Sequence, residues 1–247
     1  MSGLNVLGLI YVLIFFGLIL GTSIILRTRE VRKLRDIHAF ERLGRAIGLA
    51  VEAGSRLHIS LGRGHILSTQ SAIGFVGLSI LDRIARSTSI SDRPPVSTSG
   101  EGSLGILSQD TQREAAKHLG VESDPTRGMI TGLTPYSYAA GTLSFIQEED
   151  IGANLLIGSF GNEVALITDA AERKDDMTLG GTDNLTGQAV LFATAQEPLI
   201  GEETYAGGAY LGAGPTHIAS LYAQDILRWV IIGLILIGAI LKLIGVL

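Results

Sequence analysis

The sequence has no cysteine. Disulfides and Cys-ligated metal sites are therefore excluded, which suits a cytoplasmic domain. Charge is missing from one long stretch: Leu4 to Leu26 contains no Asp, Glu, Lys or Arg. At ~1.5 Å rise per residue, these 23 residues reach roughly 34 Å as a helix, enough for the hydrocarbon core of a bilayer. No basic residue precedes the run. A secretory signal wants a basic start, a shorter apolar core and a small-residue cleavage site, so the run reads as a membrane span. Trp229 to Leu247 is a second such run, with Lys242 as its single charge and a helical length of roughly 28 Å. Lys242 can snorkel to the headgroups, and the Trp229 ring suits the interface.

Familiar catalytic signatures are also missing. There is no G-x-x-x-x-G-K-[ST] and no G-x-S-x-G. The five histidines, His38, His58, His65, His118 and His217, show no metal spacing such as H-E-x-x-H. His58 alternates with Leu57 and Ile59, which reads as a hydrogen-bonded strand residue. No cofactor follows from these patterns. The net charge of −5 argues against a nucleic-acid partner.

The basic residues are concentrated instead. Arg27, Arg29, Arg32, Lys33 and Arg35 follow the first span at once, then Arg42 and Arg45. Seven of the 19 Lys and Arg residues fall in that short segment. The positive-inside rule predicts a cytoplasmic central domain and both chain ends outside the cell membrane. The first five suit the surface of the lipid bilayer, where anionic headgroups attract them.

From Asp36 to Ala53 the apolar residues Ile37, Phe40, Leu43, Ile47 and Val51 recur every three or four positions. This predicts an amphipathic helix at residues 28–54 that continues the first span and stops at Gly54. Residues 55–214 then alternate. Short apolar runs at Leu57–Leu61, Pro95–Ser99, Met129–Leu133, Leu155–Ile157 and Met177–Leu179 each end in Gly, Ser or Thr. Helical patterns at 74–87, 103–119, 135–149, 163–173 and 185–196 separate them, the last ended by Pro198. Thr134 with Pro135, then Asn162, then Asp183 or Asn184, read as helix N-caps. Five strand-then-helix units predict an α/β, Rossmann-like, mostly parallel five-stranded sheet with helices on both faces. Residues 215–247 form a long final helix carrying the second span, and 201–214 are ambiguous.

The segments His58-Ile59-Ser60-Leu61-Gly62-Arg63-Gly64, Ser91-Asp92-Arg93-Pro94-Pro95-Val96, Gln109-Asp110-Thr111 and Ala223-Gln224-Asp225-Ile226-Leu227-Arg228-Trp229 carry a resemblance that covers most of the chain. The chain resembles a bacterial two-span membrane family known as a domain of unknown function (6754). The resemblance implies a similar architecture and brings no catalytic residues.

Two patterns remain as candidate sites. Gly100-Glu101-Gly102-Ser103-Leu104-Gly105 matches the dinucleotide fingerprint G-x-G-x-x-G and lies between a strand and a helix. In a glycine-rich chain of this length about 0.5 matches arise by chance, and Glu101 would set a carboxylate beside a pyrophosphate. The strand ends together form one crest, where helix N-termini attract anions. Arg63, His65, Gly100, Gly102, Ser103, Thr134, Asn162 and Asp183 are its candidate ligand-binding residues for a nucleotide or other small anion. The competing explanation is that Gly, Ser and Thr serve turns and caps. Gly17 and Gly21 form G-x-x-x-G in the first span, a close-packing face for another helix. Without convergent chemistry, the expected function is a membrane-embedded scaffold whose domain makes homo-oligomeric contacts. An anion-sensing binding module is the alternative, and an enzyme on the same crest comes third.

Overall fold

The computed structural model describes residues 3–28, 34–68, 71–88, 93–121, 124–212 and 214–245. It divides into two compact units, one of residues 35–213 and one drawn from both chain ends, 1–34 and 214–247.

In the terminal unit, helix α1 (Gly3–Thr28) packs against α9 (Pro215–Leu243), and both are long and apolar enough to cross a membrane. Their contact is built on small residues. Ala219 and Ala223 are fully buried, one helical turn apart. The Thr22 hydroxyl lies 2.8 Å from the Leu18 carbonyl and 3.2 Å from that of Ala219 across the pair. Two small residues four apart let backbones approach closely in lipid. Gly17 and Gly21 stand elsewhere: a Cβ added at either meets nothing within 4 Å. The glycine pair is therefore not what α1 presents to α9.

In the second unit the first helix, α2 (His38–Ala53), does not continue α1. Residues 34–37 are non-helical, and Ile37 is an extended N-cap. Gly54 ends α2 in the left-handed conformation, at φ +70°. Its apolar face is spent inside the unit. Leu43 is fully buried and Phe40 stacks on the Tyr210 ring at 4.9 Å.

The chain then runs through β1 (Arg56–Gly62), α3 (Ser71–Thr88), β2 (Val96–Ser99), α4 (Gly102–His118) and β3 (Gly128–Ile130). It continues through α5 (Pro135–Glu148), β4 (Ile151–Ser159), α6 (Val164–Glu172), β5 (Met177–Gly181), α7 (Leu185–Thr194) and β6 (Glu197–Leu199). A 3-10 turn (Gly201–Ala206) and a short α8 (Gly207–Tyr210) follow. All strand pairs are parallel, in the order β3-β2-β1-β4-β5-β6. The sheet grows outward from β1 to β3, then restarts at β4 on the other side of β1. That reversal places the topological switch point between β1 and β4.

The sheet has six strands, one more than the five expected. The helix before Pro198 ends at Thr194, and Glu197, Pro198 and Leu199 pair with Leu179, Gly180 and Gly181. At a sheet edge the outer side has no ladder, so the missing proline N–H costs nothing there.

The two faces of the sheet differ in chemistry. Leu57, Ile59, Leu61, Leu155, Ile157 and Leu179 form one core with α2, α3 and the start of α4. A smaller core of Leu156 and Phe160 lies under α5, α6 and α7. Period-two alternation then puts His58, Ser60, Asn154 and Thr178 on that second face, with Thr98 of β2 beside them. All five are at most 3% exposed.

Candidate functional site

The crest is formed where the strands end, and the chain's own side chains fill much of it. Glu101 is the N-cap of α4. Its carboxylate accepts from the Leu104 N–H and the Ser103 hydroxyl, both at 2.9 Å. His65 Nδ1 lies 3.8 Å from the same carboxylate. Burial alone would raise this carboxyl, but the hydrogen bonds from Leu104 and Ser103 and the nearby His65 hold it below its ordinary value. The helix end that would cradle a pyrophosphate is thus occupied by a carboxylate from within the motif.

The glycines of the same motif have packing reasons. A Cβ on Gly100 would fall 2.3 Å from Arg63 Cγ, and one on Gly105 would fall 2.7 Å from the Ile130 side chain. Gly102 faces open space. Arg63 lies over the end of β2 and its Nε donates to the Leu133 carbonyl at 3.4 Å. The structure thus gathers Arg63, His65, Gly100 and Ser103 around Glu101. The motif also follows β2 and not the switch-point strand β1.

Of the remaining crest residues, only Thr134 serves as a cap. Thr134 forms a capping box with Ser137 at the start of α5. Asn162 is exposed and makes no cap: Glu163 holds the N-cap position of α6, and its carboxylate accepts from the Gly161 N–H at 3.0 Å. Asn184, next to Asp183, caps α7. One carboxylate oxygen of Asp183 is buried with no hydrogen-bond partner. Among the described residues, no hydrogen bond joins Asn162 or Asp183 to the Arg63 cluster.

Of the expected membrane-surface residues, Arg35 pairs with Glu203 and its carbonyl accepts from the Tyr210 hydroxyl. The side chain of Arg27, and Arg29, Arg32 and Lys33 entirely, lie outside the described residues.

A second polar constellation lies inside the sheet. His58 Nδ1 is 2.8 Å from Asn154 Oδ1, and Nε2 is 2.9 Å from Thr98 Oγ1. An amide oxygen only accepts, so Nδ1 carries the proton and Nε2 accepts from Thr98. The Asn154 amide nitrogen donates onward to Asp176 at 3.3 Å. In the other direction the Tyr138 hydroxyl meets Ser60, Thr98 at 3.4 Å and the Gly62 N–H at 3.3 Å. One connected seam therefore runs from Asp176, before β5, to the crest end of β1.

Burial governs its charges. It depresses the His58 imidazole from 6.5 to about 4, against a smaller upward pull from Asn154. It lifts the Asp176 carboxyl from 3.8 to about 6. The Tyr138 hydroxyl is also pushed up by burial. His58 is thus neutral near pH 7 and acts as a dipole in the chain. The sequence signal for the seam was present in part. His58 and Ser60 alternate with Leu57, Ile59 and Leu61, and Asn154 interrupts an otherwise apolar strand. Tyr138 and Asp176 gave no such sign.

Comparison with curated proteins finds no match, and comparison with solved structures finds none. A family profile does match, over residues 2–247. With almost the whole chain covered, the protein belongs to the family described as Domain of unknown function (DUF6754).

Proposed function

We propose that this protein is a membrane-anchored assembly scaffold whose α/β domain makes homo-oligomeric contacts. The observation that carries the reading is the apolar surface at both edges of the sheet. At the β3 edge, Leu133 is 68% exposed, Tyr136 65% and Ile106 67%. At the β6 edge, Leu185 is 81% exposed and Phe192, two helical turns along the same face of α7, is 70% exposed. Isolated apolar residues on a surface are ordinary, but large apolar side chains this exposed near both edges favour protein contacts. The edge strands themselves have three residues each, and one contains Pro198. Strand addition is therefore disfavoured, and contact falls to side chains.

Two different edges meeting head to tail make a heterologous interface, which forms a ring when the rotation between neighbouring copies closes. A span before the domain and a span after it in the sequence hold every copy in one orientation to the bilayer, which keeps that rotation about the membrane normal. The basic residues after the first span support a cytoplasmic domain with both ends outside. The anion-sensing alternative has weaker support, because Glu101 and Glu163 place carboxylates at two of the helix starts where an anion would bind.

Particle mass in mild detergent or native nanodiscs tests the scaffold. Wild type is expected as a large discrete particle. Leu133→Asp with Tyr136→Asp, or Leu185→Asp with Phe192→Asp, should each give monomers. Mixing the two variants should restore dimers only, because one intact edge of each kind remains. A monomeric wild type over a wide concentration range overturns the reading. The absence of native cysteine makes topology testable by single substitutions. Ser2→Cys should react with an impermeant thiol reagent on intact cells, and Lys117→Cys should not. The opposite pattern refutes the orientation.

A further inference from the structure

At the edge where the strands begin, opposite the crest, lies a half-open pocket of about 120 Å³. Asp176, Thr178, Thr168, Thr194, Glu172 and Gln196 line it. Its wall is rich in acceptors. Asp176 is 7% exposed, and its carboxylate receives one hydrogen bond among the described residues, from Asn154 to Oδ2. No ion pair with a described residue reaches it. The charged groups around it are Glu172 at the end of α6, Lys174 and Asp175 in the following turn, and Asp150 before β4. Lys174 Nζ donates to the Glu149 carbonyl at 2.8 Å.

The hydroxyls in the wall have little left to donate. Thr194 Oγ1 donates to the Val190 carbonyl at 2.9 Å. Thr168 Oγ1 lies 3.1 Å from the Ala165 carbonyl and 2.9 Å from Thr194 Oγ1. Thr178 Oγ1 lies 3.4 Å from the Asp176 carbonyl. A threonine has one proton, so one spent on a nearby oxygen leaves lone pairs for other partners. Helices α6 and α7 both end here, at Glu172 and Thr194, and their carbonyl ends add partial negative charge. Burial lifts the Asp176 carboxyl to about 6, and the nearby Lys174 charge and the Asn154 hydrogen bond offset only part of that lift.

We propose that this pocket binds a short primary amine in its ammonium form, with the Asp176 carboxylate as counter-ion and the Thr168, Thr178 and Thr194 oxygens as acceptors. At about 120 Å³ the pocket has room for a small cation such as methylammonium or ethylammonium. An ammonium group brings donors to the Asp176 carboxylate and to the threonine oxygens, whose own protons are spent on nearby oxygens. The inference does not depend on the scaffold reading, because both the pocket and its wall belong to a single chain.

The test is calorimetric titration of the full chain in detergent at pH 7.5, with methylammonium and ethylammonium chloride at constant ionic strength. Tetramethylammonium, which has no N–H, and potassium serve as controls. Saturable binding of the two primary amines is expected, with none for either control. Asp176→Asn and Thr194→Val should each weaken it at least tenfold. Thr194 is exposed, so its isosteric replacement leaves the fold intact even if Asp176→Asn disturbs it. No saturable binding by wild type, equal binding of potassium, or unchanged affinity in Thr194→Val overturns the proposal.

Discussion

At the residue scale, His58 and Asp176 work against each other as pH changes. His58 is fully buried and Asp176 nearly so. The folded His58 stays neutral down to about pH 4, whereas the unfolded chain binds a proton below 6.5. Its contribution to stability therefore rises with pH between about 4 and 6.5. Asp176 does the reverse. The folded carboxyl keeps its proton up to about pH 6, the unfolded one loses it near 3.8, and stability falls as pH rises through that window. Each effect is worth about 3 kcal/mol and their windows overlap. The thermal midpoint of wild type should therefore change little between pH 4 and 6. For Asp176→Asn the midpoint should climb with pH, and for His58→Gln it should fall. The same slope in all three proteins would show that the seam does not hold these charge states. Glu101, held low by its hydrogen bonds, adds stability that is lost as pH falls below about 4.5.

At the scale of elements, small residues decide how the two apolar helices meet. Ala219 and Ala223 are buried against α1, while Gly17 and Gly21 have open space around them. Replacing both alanines by Leu should force α1 and α9 apart within one chain, at a cost of about 1–3 kcal/mol. Replacing both glycines by Leu should leave that pair intact. Energy transfer between fluorophores at the outer ends of the two helices separates the outcomes, because only the alanine variant should lose signal. Should the glycine variant lose it as well, the assignment of the packing face fails. Any change in particle mass caused by the glycine variant then reports contact with a neighbouring chain. The element pattern was legible in advance because it is local. Alternation of apolar residues, Thr134 with Pro135 and Gly54 mark strands, a helix start and a helix stop within a few residues of chain. The separation of α2 from α1 was less legible. The 3.6-residue pattern before His38 resembles the one after it, and only packing of Phe40 and Leu43 on the sheet fixes where the new helix begins.

At the scale of the whole molecule, the sequence by itself determined three things: two apolar helices, one at each end; a repeated strand-helix order between them; and therefore a mostly parallel sheet. These follow from hydrophobic length and periodicity, which act through neighbours in the chain. Tertiary structure decided what the polar residues do. His58 and Asn154 are 96 positions apart and meet because β1 and β4 are adjacent in the sheet. Ser60 and Tyr138 meet because α5 crosses over the switch point, and Asp176 faces a pocket because α6 and α7 end around it. Glu101 is the intermediate case. Its place in the glycine motif was visible, but its folding back to cap α4 was settled by geometry, through the N–H groups that the helix start leaves unpaired. Pro198 was read as a helix stop and serves as an edge-strand residue, since only the assembled sheet supplies a partner for three extended residues.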